Sequence, residues 1–146
     1  MKITVETHIQ APLTRVWQAW ITPADIVQWN FAHESWCCPA ARLDLHPEGQ
    51  FSYRMEARDG SGGFDFNGRF TEVMPCESLR FVIEDGREVS VCFKETDSGV
   101  LVSETFETED EHSAEMQRQG WQAILDNFKR HVEANGMSSQ EPEWKP

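Results

Sequence analysis

An alternation of apolar and polar residues runs, with short breaks, from residue 41 to residue 109, and it constrains the fold more than any other feature. In "GQFSYRMEARD", for example, Phe51, Tyr53, Met55 and Ala57 fall on one face, and polar residues fall between them. Successive side chains of a strand point to opposite faces of a sheet, so this period of two indicates strands with one buried face. The breaks "DGSGG", "DG" and "DSG" are typical of turns. We therefore predict a curved antiparallel meander of six strands.

The segments on either side of the meander predict one further strand and three helices. "ITVETHIQ", residues 3–10, alternates like a strand, and "APLTRVWQAW" and "TPADIVQWN" have helical spacing with start signals at Pro12 and at Thr22-Pro23. A longer helix is predicted over residues 113–135, with Asn135-Gly136 as its stop signal. The predicted order is one strand, two short helices, six strands and a long helix. This order predicts an α+β fold in which the sheet wraps around the last helix.

The length of the chain predicts a single domain over residues 1–135. The polar, proline-containing segment 136–146 is predicted to be a disordered C-terminal tail.

The charge balance excludes several classes of partner. The chain has 13 Lys and Arg against 25 Asp and Glu, for a formal net charge of -12, which is unfavourable for nucleic acid or anionic lipid. No apolar run approaches the ~18 residues of a membrane span, and the start lacks a signal-peptide core. We therefore expect a cytoplasmic protein, a monomer or weak homodimer, with no membrane insertion.

Several segments resemble one protein superfamily. They are "APLTRVWQAWITPADIVQWN", "PEGQFSYRMEARDG", "FDFNGRF", "EDGREV" and "GWQAILDNFKRHVE", and with their order they resemble the START/birch-pollen-allergen superfamily (SRPBCC, polyketide cyclase-like) over residues 2–135. The most similar branch is that of the activator-of-heat-shock-protein-ATPase homologues. One departure is Glu48-Gly49, where the branch often has two glycines.

The resemblance implies a helix-grip fold with a cavity between the concave sheet and the closing helix. It also implies that the segment "WNFAHESWCCPA", residues 29–40, passes the mouth of the cavity as a lid. The alternative is a filled core with ordinary packing under a long loop. The candidate ligand-binding residues are Trp29, Phe31 and Trp36 in the lid, Phe51, Tyr53, Phe64, Phe66, Phe81 and Phe93 on the strands, and Gln117, Trp121, Ile124 and Phe128 on the helix.

Glu104 is the one polar residue in the apolar phase of the last strand, between Val102 and Phe106. A buried carboxylate is unfavourable unless it is paired, hydrated or protonated. Glu104 is therefore a candidate for ligand binding, or for acid–base chemistry if the protein is an enzyme. The alternatives are an ion pair with an arginine or a position in water near the open end. His8 is a weaker polar candidate.

The adjacent Cys37 and Cys38 are interpreted as reduced, apolar filling, because adjacent cysteines do not match the spacing of a zinc site. A metal site with His33 or His46, or a reactive thiol, are the less favoured alternatives. No nucleophile, phosphate-loop, cofactor or metal motif occurs, so the sequence predicts no cofactor and no metal and leans against an enzyme.

Three functions stay open at this point. The first is binding of a small hydrophobic or amphipathic molecule, such as a lipid or an aromatic metabolite. The second is a cyclase- or hydrolase-like enzyme that uses Glu104. The third, by resemblance alone, is a co-chaperone-like domain with a protein partner.

Overall fold

The computed structural model describes residues 1–139, with side chains to residue 134. Residues 140–146 of the predicted tail lie outside the described residues. The predicted order of elements is confirmed. The elements are β1 (Lys2–Ile9), α1 (Leu13–Ile21), α2 (Pro23–Trp29), β2 (Trp36–Leu43), β3 (Gln50–Ala57), β4 (Gly63–Met74), β5 (Ser78–Ile83), β6 (Glu88–Thr96), β7 (Gly99–Glu107) and α3 (Ala114–Ser139).

The seven strands form a single antiparallel sheet in the order β1-β7-β6-β5-β4-β3-β2. β2 to β7 are a simple meander, and β1 pairs with β7 to complete one edge. Because β1 and β2 lie at opposite edges, α1 and α2 carry the chain across the concave side. α3 packs on β1, and α2 packs on β2. The predicted α+β helix-grip fold is therefore confirmed.

Two irregularities in the sheet accompany its curvature. The register shifts between Cys37 and Ala40 in β2 and between Phe70 and Glu72 in β4. A bulge adds a residue to one strand and bends it. Pro39 is tolerated in β2 because this strand is at the edge of the sheet and is bulged there.

β2 begins at Trp36, whereas the alternation predicted a strand only from residue 41. The bulge and Pro39 interrupt the period of two, so the sequence pattern did not reveal this part of the strand. Residues 36–40 of the segment predicted to be a lid are therefore sheet. The α3 helix differs as well, since it continues to Ser139 beyond the predicted stop at Asn135-Gly136.

The turn between β2 and β3 explains the one departure from the family pattern. Glu48 has φ 72°, in the left-handed region that glycine adopts without steric strain. Its neighbour Gly49 is required for another reason, since a Cβ there would lie 1.9 Å from the Asp44 carbonyl oxygen. The Glu48 N–H donates to the Phe70 carbonyl at 2.7 Å, so the turn forms despite the non-glycine residue.

Candidate functional site

The concave side of the sheet is divided into a filled part and an open part. The filled part lies under α1 and α2, where Phe128 of α3 is fully buried. Its ring centroid is 4.9 Å from that of Trp20 and 4.8 Å from that of Trp29, both in edge-to-face geometry. Phe93 also contacts Trp17 and Trp20 edge-on. Close aromatic packing of this kind leaves no space for a ligand.

The open part is a cavity of about 320 Å³ between the N-terminal half of α3 and strands β3 to β5. Most of its wall is aromatic. Phe106, which stacks on Trp121 at 4.2 Å, holds that indole against the sheet side of the cavity. The lining residues are Trp20, Trp29, Asn30, Phe51, Tyr53, Met55, Phe64, Phe66, Phe70, Phe81, Arg87, Glu104, Glu109, Gln117, Trp121 and Ile124.

The strand register brings the aromatic part of this wall together. Phe51, Tyr53 and Met55 of β3 lie opposite Gly68, Phe66 and Phe64 of β4, so the apolar phases of the two strands share one face. The Phe51 ring requires a glycine at position 68. A Cβ there would lie 2.5 Å from the Phe51 ring, so the ring packs closely on β4 only because this residue is glycine.

The members of the wall that reach solvent mark the opening of the cavity. Phe64 is 51% exposed, and Arg87 and Glu109 are partly exposed. Trp36 lies beside this opening, with its ring centroid 6.1 Å from that of Phe64, although it does not line the cavity itself.

Glu104 is the most unusual group in the wall. Its side chain is buried, with 5% exposure, and no hydrogen-bond or ion-pair partner for its carboxyl occurs among the described residues. The residues opposite it are Val5 on β1 and Val91 on β6, which are both apolar. Burial without compensation raises the pKa of Glu104 to about 8, so the carboxyl is mostly protonated at neutral pH. The predicted alternative of an arginine ion pair is not what the structure shows.

Two more polar groups on the wall lack partners within residues 1–134. They are the hydroxyl of Tyr53 and the side-chain amide of Asn30, which lies just after α2. Burial, with a smaller contribution from the nearby Cys38 thiol, raises the pKa of Tyr53, so its phenol stays neutral. Ligand pockets typically contain a few polar groups of this kind among apolar side chains, so three of them around one cavity indicate a place for a polar group of a ligand.

Gln117, a further candidate, is fully engaged in a structural role. Its carbonyl accepts the Glu109 N–H at 2.8 Å, and its amide donates to the carbonyls of Glu109 and His112 at 3.1 and 2.8 Å. Gln117 therefore fastens the β7–α3 loop over the end of the cavity and presents no free hydrogen-bonding atom to it.

The structure brings ten of the predicted site residues to the wall and leaves four outside it. Phe93 and Phe128 have the predicted inward orientation but belong to the filled part. Phe31 packs on the core with Arg58 over its ring at 5.6 Å, and Trp36 is at the rim. The ten are Trp29, Phe51, Tyr53, Phe64, Phe66, Phe81, Glu104, Gln117, Trp121 and Ile124.

Sequence analysis missed six members of the wall as site residues. Met55 and Phe70 share the inward phase of their strands, and Trp20 shares the apolar face of α1, so a signal existed for these three. Asn30, Arg87 and Glu109 lie in turns, where no periodicity indicates a direction.

Outside the cavity, the other sequence candidates are engaged elsewhere. His8 bonds to Thr96 at 2.9 Å, and His33 bonds to Ser35 at 2.8 Å. His46 contacts Asp44 and the Pro47 carbonyl, so neither His33 nor His46 is directed at the cysteines. Cys38 is buried, and burial raises the pKa of its thiol to about 11, which favours the unreactive form.

A larger groove of about 770 Å³ lies along strands β2 to β5. Its lining is mainly polar, and several of its polar side chains already hydrogen-bond or pair with other residues of the protein. Ser52 donates to Asn67 at 2.6 Å, and Arg69 pairs with Glu48 at 3.2 Å. We place the candidate site in the smaller cavity because most of its wall is aromatic and because Asn30, Tyr53 and Glu104 on it lack side-chain partners among the described residues.

A curled antiparallel sheet that grips a C-terminal helix, with an apolar cavity between them, defines a helix-grip domain of the SRPBCC superfamily. Within that class, the chain belongs to the activator of Hsp90 ATPase homolog 1-like family, whose model matches residues 10–133. No curated protein matches the chain. Within residues 1–139, no helix is long and apolar enough to cross a membrane.

Solved structures agree with this assignment. The solution structure of the AHSA1-like protein from Aeromonas hydrophila is 48% identical, covers 94% of this chain and 96% of its own, and has a TM-score of 0.89. A protein from Cytophaga hutchinsonii is 40% identical over 92% of this chain and 93% of its own, with a TM-score of 0.79. A crystal structure from Nitrosomonas europaea, at 18% identity over 92% and 96% with a TM-score of 0.81, supports the fold alone.

Proposed function

We propose that this protein binds one small, largely apolar molecule with a polar group in the cavity between α3 and strands β3 to β5. The observation that carries the proposal is an aromatic cavity of about 320 Å³. Three polar side chains on its wall, those of Asn30, Tyr53 and Glu104, have no hydrogen-bond partner in the described part of the chain. Ligand pockets combine such apolar walls with a few convergent polar groups, and their volumes begin near 300 Å³.

The two alternatives have less support. An enzyme would use Glu104 on a bound substrate, but no Ser, Cys, His or Lys side chain lines the cavity beside it in the described part of the chain. A protein-interaction domain needs a contiguous apolar surface. The exposed large apolar side chains in the described part are Met1, Phe64, Met74 and Met116, which lie at separate ends of elements. A cytoplasmic location and a monomeric or weakly dimeric state stay predictions.

The test is titration with N-phenylnaphthylamine, a neutral probe whose fluorescence rises in apolar sites. We expect saturable binding of one probe per chain, with quenching of tryptophan emission because Trp20, Trp29 and Trp121 lie in the wall. A linear response without saturation would contradict the proposal.

A matched pair of variants shows where the probe binds. Ile124→Phe places a ring into the cavity from α3, whereas Gln119→Phe places the same ring on the exposed face of that helix. We expect the first variant to weaken probe binding by about tenfold or more and the second to leave it unchanged. Equal effects of the two variants would locate binding outside the cavity.

A further inference from the structure

We infer that the preferred occupant of this cavity carries an ammonium group, held by the Glu104 carboxylate among the surrounding aromatic rings. This inference rests on the proposed binding function and specifies the chemistry of its ligand. It is carried by the position of Glu104 on an aromatic wall, without any partner in the described residues.

The other ionisable groups of the wall are already engaged or neutral. Arg87, in the β5–β6 turn, donates to Asp85 at 2.9 Å and to the Glu107 carbonyl at 3.1 Å. Glu109, in the β7–α3 loop, pairs with His112 at 2.9 Å. Tyr53 on β3 stays neutral because burial raises the pKa of its phenol. Glu104 is therefore the free ionisable group that a ligand meets inside the cavity.

The remaining polar groups can all accept a hydrogen bond from a ligand donor. An ammonium group has N–H donors and no acceptor, and the wall offers it acceptor oxygens on Glu104, Tyr53 and Asn30. A ligand carboxylate or phosphate would instead face an acidic side chain, with like-charge repulsion if Glu104 were ionised. A hydroxyl could also bind Glu104, so the distinction between hydroxyl and ammonium depends on the rings.

The rings add an attraction that only a cation receives. The face of an aromatic ring is electronegative, and indole attracts cations most strongly. Trp20, Trp29 and Trp121 supply three indoles to this one wall. The net charge of -12 on the chain also favours the approach of cations over anions.

Binding of a cation has a consequence that binding of a neutral molecule lacks. In the empty cavity the raised pKa of Glu104, about 8, leaves its carboxyl mostly protonated at pH 7. An ammonium group beside it favours the carboxylate and lowers that pKa again. The complex therefore forms with release of about one proton at pH 7, whereas a neutral ligand releases none.

The experiment is isothermal titration calorimetry at pH 7 with naphthylethylamine, naphthylethanol and naphthylacetate, which share one ring system and differ in the charge of the tail. Repeating each titration in two buffers of different ionisation enthalpy measures the protons released. We expect the amine to bind about tenfold tighter than the alcohol, with release of about one proton. We expect the acetate to bind more weakly than either.

Glu104→Gln then removes the ionisation while keeping the shape of the side chain. In this variant we expect the amine to lose about tenfold in affinity and to release no proton, and the alcohol to change by less than about threefold. The proton count of the unmodified protein provides the same information without a variant, so the inference can be refuted even if the variant fails to fold.

The possible failures are distinguishable. The ammonium inference would be overturned if amine and alcohol bound equally without proton release, or if Glu104→Gln left the affinity for the amine unchanged. Either result would leave the proposed binding function in place. If neither the alcohol, the amine nor N-phenylnaphthylamine binds, both the proposed function and this inference are wrong.

Discussion

The two halves of α3 face opposite kinds of interior. Towards its C-terminal end, Phe128 and Val132 are fully buried against neighbouring side chains. Towards its N-terminal end, Trp121 and Ile124 are only partly buried because they face the cavity. The same helix thus closes a filled core at one end and an open site at the other.

A carboxyl group lies near each end of α3, Asp25 half-buried near the C-terminal end and Glu104 buried near the N-terminal end, and their surroundings differ. Asp25 of α2 accepts from Arg15 of α1 at 3.0 Å and contacts His131 of α3 at 2.7 Å, so it connects three helices. Burial acts to raise the pKa of Asp25, but the hydrogen bonds from Arg15 and His131 outweigh it and hold that pKa below its usual value. Glu104 has no such partner within the described chain, and its pKa rises. A satisfied carboxyl is typical of structure, whereas an unsatisfied one on a cavity wall is typical of a site.

The largest difference is expected when one ring is removed from each half. Phe128→Ala should lower the free energy of unfolding by about 3–5 kcal/mol, because the ring is packed on all sides. Phe66→Ala should cost only ~1–2 kcal/mol, because that ring already has the cavity on one side. Urea unfolding of both variants measures the difference. Equal losses would mean that the cavity is as well packed as the core.

Glu104→Gln should stabilise the protein by ~2–4 kcal/mol at pH 8. A carboxyl whose folded pKa is raised destabilises the fold above its unfolded pKa, and the penalty grows until the pH passes the folded pKa of about 8. The gain should therefore shrink to less than about 1 kcal/mol at pH 5. Thermal melts at both pH values check this. A variant less stable than the unmodified protein at pH 8 would show that Glu104 is paired.

Asp25→Asn should have the opposite sign, with a loss of ~2 kcal/mol at pH 7. A carboxyl whose folded pKa is lowered stabilises the fold above its unfolded pKa, and this contribution is lost as the pH falls through the folded pKa. The loss should therefore be the same at pH 8 and pH 5 and diminish only below about pH 4, so the melts are extended to about pH 3. A loss that is independent of pH would indicate that packing, and not charge, is what Asp25 contributes.

The smallest effect is expected in a turn that belongs to neither half. Glu48→Gly should raise the free energy of unfolding by up to ~1 kcal/mol, because glycine adopts the φ of 72° without steric strain. The greater entropy of glycine in the unfolded chain offsets part of the gain, and the exposed pair with Arg69 contributes little. Urea unfolding at pH 7 measures it. Destabilisation would mean that the Arg69 pair matters more than the backbone strain.

The sequence determined the elements and the direction in which most side chains point. The period of two placed Phe51, Tyr53, Phe66 and Glu104 on the concave face, because alternation along a strand is a local property of the backbone. Helical spacing did the same for the apolar face of α3. Where local regularity fails, at the bulge after Cys37, the pattern predicted neither the start of β2 nor the place of Trp36.

Only the tertiary structure decided which inward residues meet each other and which meet a cavity. Phe128 and Trp121 are both aromatic and lie on the same face of one helix, yet only Phe128 is fully buried, against the indoles of Trp20 and Trp29 from elements far away in the chain. Asp25 finds His131 across 106 positions of sequence, whereas Glu104 finds no partner in the described chain. Periodicity determines the face on which a side chain lies, but what fills the space beside that side chain depends on residues distant in the sequence. The cavity and the free carboxyl in it are therefore properties of the folded structure.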